Sequence, residues 1–321
     1  MPQPLLRHAT EEGRPQWPAF STDAFLDVIR DVYRPGWRKA FVSCAGQAFR
    51  TLVSPRGDPL VGLWEFPLFF ESVATAEQVT PVPYLDSVCH GITTAGGSRR
   101  PGLAASPFID WAGVTGSWGE YVGGRTHALG TDGFEARLRK ERALNRDAGD
   151  VEVCFDDHDP GAIETLFAWK SAQYRRSGLV DLFSLQRNRD FYGELARRGL
   201  LEVATLRAGG KLIAAHAGSR LDGRFLYRLP AYDPQFRRFS PGALLTWRLV
   251  RHSFESGDRE FDFLLGDEAY KFTYATHVRW IGPLGTEPLR RKAVRTARGF
   301  AGRARRAVRG RLRASAVHGR R

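Results

Sequence analysis

The sequence predicts an α/β fold, a mixed β-sheet with helices on both sides, and three observations carry that prediction. From Val151 to about Ile281, cap and turn residues cut the chain into the order β-α-α-β-β-β-α-β-α-β. The run of three strands is joined by two hairpin-type turns, which require antiparallel pairing. The helix from about Gly242 to Ser256 then joins strands 224–230 and 260–265, and a helical crossover of that length sets its two strands parallel.

Taken in order, the first predicted helix is Ala24–Tyr33, capped by Ser21 or Thr22. AFRTLV (48–53) and LVGLWEF (60–66) flank Pro55-Arg56-Gly57-Asp58 and read as a hairpin. Residues 91–133, rich in Gly, Ser and Thr, read as loops, and a helix over 134–147 joins the two halves. VEVCF (151–155) is a strand, followed by Asp159-Pro160, an N-cap and a proline at the first helical position. Ile163, Leu166, Phe167, Lys170 and Tyr174 mark one face of that helix, and Gly178 stops it. A second helix around Asp190–Arg198 ends at Gly199. The three strands 201–207, 212–219 and 224–230 follow, then the 242–256 helix closed by Gly257. Strand 260–265, a short helix near 267–276 and a strand near 277–281 complete the order. The expected division is 1–145, 146–286 and a basic tail, 287–321. The hairpin at 48–66 echoes the one at 201–219, so the first unit reads as a degenerate copy of the second.

The net charge of +13 points to nucleic acid until it is located. Of the chain's 48 Lys and Arg, 13 lie in 289–321, which holds no acid; the other 35 balance 35 Asp and Glu. The body is neutral and the basicity belongs to the tail. No apolar run is long enough to span a bilayer, and the polar, proline-rich N-terminus lacks the apolar core of a signal peptide, so a cytoplasmic protein is expected. Cys44, Cys89 and Cys154 are odd in number and widely spaced, which argues against disulfides or a zinc site and for buried or half-buried thiols. Asp156-Asp157-His158-Asp159 resembles a metal cluster, but acids before a helix complement its dipole, and no metal site is predicted. His216 reads first as a core histidine, and Trp169 and Tyr174 as packing residues.

Two stretches carry candidate chemistry. Arg237-Arg238-Phe239-Ser240-Pro241-Gly242-Ala243 leads from a strand into a helix, where successive N–H groups and the helix dipole can cradle an anion. Gly242 would let the backbone approach a phosphate, with Arg237 and Arg238 adding charge. The alternative is an ordinary capped helix, with Ser240 as cap, Pro241 at the first position and the arginines solvated. Further on, strand alternation puts Phe261, Phe263 and Leu265 on one face and Asp262 on the other; Gly266 turns the chain, and Asp267, Tyr270 and Lys271 follow. Ligands collect at the carboxyl ends of parallel strands, where these groups lie. Asp267 as a simple N-cap and Tyr270 as a core aromatic are the alternatives.

LFAWKSAQYRRSG (166–178), YDPQFRRFSPGALL (232–245) and FDFLLGDEAYK (261–271) together resemble the CelD-like acetyltransferase branch of the GNAT superfamily, the branch of cellulose and exopolysaccharide biosynthesis. The resemblance covers about residues 150–283, and the N-terminal half matches poorly. Arg237, Gly242 and Ala243 fit the R-x-x-G-x-G/A loop of GNAT proteins, with Ser240 in place of its first glycine. The resemblance implies a GNAT fold in tandem with a degenerate N-terminal copy. It also implies direct transfer from acetyl-CoA or another acyl-CoA to a small-molecule or glycan amine, such as an amino sugar or an envelope or secondary-metabolite precursor. Pyrophosphate would rest on the N–H groups of 238–243, and a backbone N–H near Leu229–Tyr232 would steady the oxyanion. Asp267 or Asp262 would be the base, Tyr270 the proton donor to the thiolate, and Lys271 a holder of an acceptor phosphate or carboxylate. Two rival readings stand beside it: a Fem-type aminoacyl-tRNA-dependent transferase, with the basic tail for tRNA, and a non-catalytic module that binds CoA or a membrane-bound partner. In the tail, Ala293, Ala297, Phe300, Ala304, Val308 and Leu312 recur at helical spacing with most arginines opposite, which suits an anionic membrane surface at the inner face first and nucleic acid second.

Overall fold

The structure is a computed structural model, and it describes residues 22–44, 47–57, 75–81, 104–114, 116–129, 133–264, 266 and 268–283. The expected hairpin partner at 60–66, and Leu265, Asp267 and the tail, lie outside the described residues.

The first half begins with α1 (Asp23–Tyr33), whose Phe25, Leu26, Val28 and Ile29 are buried, and Thr22 stands at its N-cap without a side-chain cap bond. Strand β1 (Arg38–Cys44) pairs antiparallel with β2 (Gln47–Val53), so the strand predicted at 48–53 forms and has a partner upstream. Next come β3 (Thr75–Pro81), β4 (Ala104–Asp110), α2 (Trp118–Leu129) and α3 (Gly133–Ala148). The loops expected at 91–133 are therefore corrected in part. Ala104–Asp110 is a strand because it has partners on both sides, and tertiary pairing overrides its small residues and proline.

The second half follows the predicted order: β5 (Val151–Cys154), α4 (Pro160–Arg176), α5 (Gln186–Arg197), β6 (Glu202–Ala208), β7 (Lys211–Leu221), β8 (Arg224–Tyr232), α6 (Pro241–Glu255), β9 (Glu260–Asp262), α7 (Ala269–Tyr274) and β10 (His277–Pro283). Asp159 caps α4 by accepting the Gly161 N–H at 2.9 Å, and Asp157 accepts the Thr205 hydroxyl at 2.7 Å. Both are structural, as read from the sequence. Cys154 is exposed on the edge strand β5, against the expectation of a buried or half-buried thiol.

The strands form one eight-stranded sheet in the order β3-β10-β4-β9-β8-β7-β6-β5. Among the described residues only β8–β9 is parallel; the other pairings are antiparallel. On one face α1, α4 and α5 bury Phe25, Leu166, Phe167, Phe191 and Tyr192 against Leu226 and Leu229. On the other, α3 and α6 bury Phe134, Leu144, Trp247 and Val250 against Phe225, Tyr227 and Phe261. β3 and β4, from the first half, belong to the same sheet, and β4 sits between β9 and β10.

Candidate active site

The site begins where the parallel pair comes apart. β8 and β9 pair over Arg224–Leu226 and Glu260–Asp262 only, while β8 runs on to Tyr232. Past Asp262 the chain leaves β8 and follows β4: the Phe263 N–H donates to the Pro107 carbonyl at 3.0 Å and the Gly266 N–H to the Ala105 carbonyl at 2.9 Å. Leu264 makes the turn in the left-handed region, φ 57°, a conformation that costs a non-glycine residue about 1–2 kcal/mol. Asp262 holds it there: its carboxylate accepts the Leu264 N–H at 2.8 Å and the Ser106 hydroxyl at 3.3 Å. Its other oxygen accepts from the Arg224 guanidinium at 2.8 Å, in a fully buried pair. The predicted strand 260–265 thus stops at Asp262, and a gap opens between β8 and the turn. Strand alternation placed Asp262 opposite Phe261 and Phe263 correctly, yet its lone pairs are committed to the turn and to Arg224.

At one end of the gap lies the start of α6. A 3₁₀ turn over Pro234–Phe239, capped by Asp233 through the Gln235 N–H at 2.9 Å, leads to Ser240 in a left-handed conformation, φ 54°. Pro241 takes the first helical position. Ser240 stands at the N-cap, but its hydroxyl makes no cap bond; it accepts from Lys140 of α3 at 2.6 Å. Arg237 and Arg238 are exposed, Phe239 is buried and Ala243 is exposed. Arg238 also reaches Asp147 at 3.3 Å. Gly242 lies against the strand before it: a Cβ there would stand 3.2 Å from the Tyr232 ring, and the ring would have to give. Beside Arg238 an open recess of about 510 Å³ is lined by Asp147, Lys211, Gln235, Phe236 and Phe239.

Inside the gap Glu268 and Lys271 come close to Lys170 of α4. Gly266, φ 135°, turns so tightly that a Cβ would fall on the Glu268 carboxylate and 2.8 Å from Lys271 Nζ. Lys271 is buried, 3.1 Å from Glu268 and 3.4 Å from the Leu264 carbonyl. Tyr270 is 39% exposed, packs edge-on against Phe263, and shares a hydrogen bond with Tyr227. Burial first, then the neighbouring Tyr227 and Glu268, push its phenol well above the ordinary tyrosine range, so it is protonated at every ordinary pH. Tyr227 is itself held by Thr246 at 2.8 Å. Two site residues escaped the sequence reading. Lys170 of α4 donates to the Pro230 carbonyl of β8 at 3.0 Å, and enclosure lowers its pKa to about 8, with Glu268 opposing that fall and Lys271 adding to it. Glu268 is the exposed carboxylate facing this group. The signal in the sequence was a lysine on an otherwise apolar helix face.

His216 is buried, stacked on Tyr227 and Phe225, and accepts the Arg228 N–H at 3.2 Å. Burial lowers its pKa to about 3, so it is a neutral core histidine, as read. Among the described residues no group of three or more His, Cys, Asp and Glu could hold a metal ion. None of the described helices is long and apolar enough to cross a membrane.

Residues 133–272 match the family model described as an acetyltransferase (GNAT) domain. Over that stretch the chain resembles a GNAT acetyltransferase domain, on the α/β fold set out above. A search of curated proteins gives no significant match. Among solved structures the chain is similar to FemX, at 10% identity over 83% of this chain and 92% of that one, TM-score 0.49. It is also similar to a conserved protein of Bacteroides thetaiotaomicron VPI-5482, at 11% identity over 87% and 95%, TM-score 0.45. A tandem GNAT protein from the clavulanic acid biosynthesis pathway aligns at 12% identity over 82% and 89%, TM-score 0.32.

Proposed function

We propose that the chain transfers an acyl group, acetyl first among them, from coenzyme A to an amine, and that residues 146–286 are its catalytic unit. The motifs at 166–178, 232–245 and 261–271 support a place in the CelD-like branch. They also support an amino sugar or a similar envelope or secondary-metabolite precursor as acceptor. The observation that carries the reading is the splay of β8 from β9, with a helix N-terminus at one end and titratable groups inside. The backbone of 238–243 would receive the pyrophosphate, with Arg237, Arg238 and Lys140 supplying charge. The aromatic and cationic recess beside Arg238 suits the nucleotide end.

Tyr270 is a protonated phenol at the gap and serves as proton donor to the leaving sulfur. The base is a carboxylate of the same turn, Asp267 or Glu268; Asp262 is withdrawn from that role, because its ion pair with Arg224 and its bond to Leu264 hold it in place. Lys271 stays with Glu268 and keeps that carboxylate oriented. The protein is placed in the cytoplasm, with the tail at the anionic inner face of the membrane.

The test is turnover of an acyl-CoA panel against amino sugars and simple amines, with detection of the free thiol. Thiol release that depends on the amine supports the reading. Transfer from an aminoacyl-tRNA alone would replace it with the Fem-type reading, and CoA binding without turnover on any donor with the non-catalytic one. Tyr270→Phe should lower kcat by about 10²–10⁴-fold with little change in CoA affinity. Unchanged turnover in conditions where chemistry limits the rate would reduce Tyr270 to a packing residue.

A further inference from the structure

The edge of β8 that faces the gap is short of hydrogen-bond donors. The Asp233 N–H donates to the Ile213 carbonyl at 2.9 Å, and the register pairs Ala215 with Ala231 and Ala217 with Leu229. Bonded pairs alternate along an antiparallel ladder, so Ala231 and Leu229 point to β7 while Tyr232 and Pro230 point into the gap. Pro230 has no N–H. The next N–H inward, that of Arg228, is taken by His216. The Tyr232 N–H is thus the backbone donor left at the outer end of this edge, and a thioester carbonyl lying further in, beside Pro230 and Arg228, would find none.

A cation stands there instead. Lys170 Nζ is 3.0 Å from the Pro230 carbonyl, and that bond uses one of its three N–H groups. Its stem runs past Tyr174 on its own helix, with Nζ 5.6 Å from the ring centroid. Glu268 and Lys271 stand close to it, and its charge reaches the buried His216 of β7. Lys170 is half-buried, close enough to the opening to meet a ligand and enclosed enough for its charge to act strongly.

We propose that Lys170 is a catalytic residue whose ammonium stabilises the oxyanion of acyl transfer, replacing the backbone N–H that Pro230 lacks; this rests on the acyltransferase reading. The acceptor nitrogen adds its lone pair to the thioester carbon, forming C–N while the carbonyl π pair moves to oxygen. Lys170 meets that oxygen and keeps its own proton. Collapse reforms C=O and breaks C–S; the sulfur leaves with the electron pair and takes the Tyr270 proton. The proton shed by nitrogen passes to the turn carboxylate and then back to Tyr270, so the amine proton ends on the thiol.

The full-length chain tests this with Lys170→Met, which keeps the apolar stem, and Lys170→Arg. Lys170→Met should lower kcat by about 10²–10³-fold, the cost typical of removing one oxyanion donor, with CoA affinity within about twofold. Lys170→Arg should recover at least tenfold of that loss. The ammonium is present below its pKa and lost above it, so wild-type kcat should fall as pH rises through about 8, and the Met variant should not show that fall. A second readout needs no turnover. S-carboxymethyl-CoA places a carboxylate oxygen near the oxyanion position, and calorimetry should show it binding wild type at least about tenfold more tightly than CoA. Lys170→Met should erase that preference. Wild-type kcat in the Met variant, or a wild-type rate that rises through pH 8 through Lys170, overturns the assignment while leaving the acyltransferase reading standing. If wild type binds neither nucleotide, the acyltransferase reading falls and Lys170 with it.

Discussion

Asp262 shows how one side chain shapes the site without doing chemistry there. A carboxylate with no exposure is tolerable only when paired and bonded, and Arg224, Ser106 and the Leu264 N–H together do that. The same contacts hold the left-handed turn at Leu264 that directs the chain away from β8. Asp262→Ala would take from the buried Arg224 guanidinium its partner at 2.8 Å, leaving Glu260 at 3.1 Å. The expected loss is about 3 kcal/mol in urea unfolding, the lower end for breaking a buried pair, and Arg224→Met in the same chain should restore most of it. A loss under about 0.5 kcal/mol, usual for a surface substitution, would show that water already reaches the pair. Period-two alternation made the face of Asp262 legible in the sequence. Its partner was not legible, because Arg224 lies on another strand and meets Asp262 only in one register of a parallel pair. Lys170 was hidden for a related reason: it was counted among apolar neighbours as a face marker, and only Pro230 gives it a role.

At the scale of elements, the start of α6 is held by a contact that composition cannot reveal. Gly242 packs its bare Cα against the Tyr232 ring, and Thr246 bonds back to the Gly242 carbonyl at 2.8 Å. The glycine in the R-x-x-S-x-G-A stretch thus also eases the packing of the helix on the strand that precedes it. Gly242→Val would push the Tyr232 ring and the first turn apart. CoA affinity should fall at least tenfold, about 1.4 kcal/mol, with the far-ultraviolet dichroism unchanged; equal affinity by calorimetry would remove this turn from the binding site. From Val151 onward, Gly and Pro punctuation exposed the order of elements: Pro160 and Pro241 open helices, and Gly178, Gly199 and Gly257 follow helix ends. β4 escaped that logic. AASPFID carries small residues and Pro107, which reads as a loop. Pro107 is tolerated because it stands where the β4–β9 pairing over Phe108–Asp110 ends: its carbonyl still accepts the Phe263 N–H, and the reciprocal bond it cannot make is the last of the ladder.

Across the whole molecule, the first half helps build the site of the second. β4 carries the chain past Asp262, and α2 secures α7. Arg125 donates to the carbonyls of Phe272 and Thr273, and the Tyr121 hydroxyl to that of Tyr274, so the helix bearing Tyr270 and Lys271 has its last carbonyls satisfied from outside. That body is electrically neutral, while 13 Lys and Arg crowd residues 289–321 without one acid. The apolar positions of that stretch are mostly alanine, and Gly299, Gly302 and Gly310 weaken a helix, so hydrophobic burial alone would bind it poorly. Charge must supply the binding, at about 1 kcal/mol for each Arg near an anionic surface, and such attraction fades with salt. Removing 289–321 should therefore leave the melting temperature and acyl transfer to a soluble acceptor unchanged, and abolish cosedimentation with vesicles rich in anionic lipid. Full-length protein should release from the same vesicles as ionic strength rises, and neutral vesicles should not retain it. Binding to tRNA but not to vesicles at low salt would assign the tail to nucleic acid, and indifference to both would make it a solvated extension.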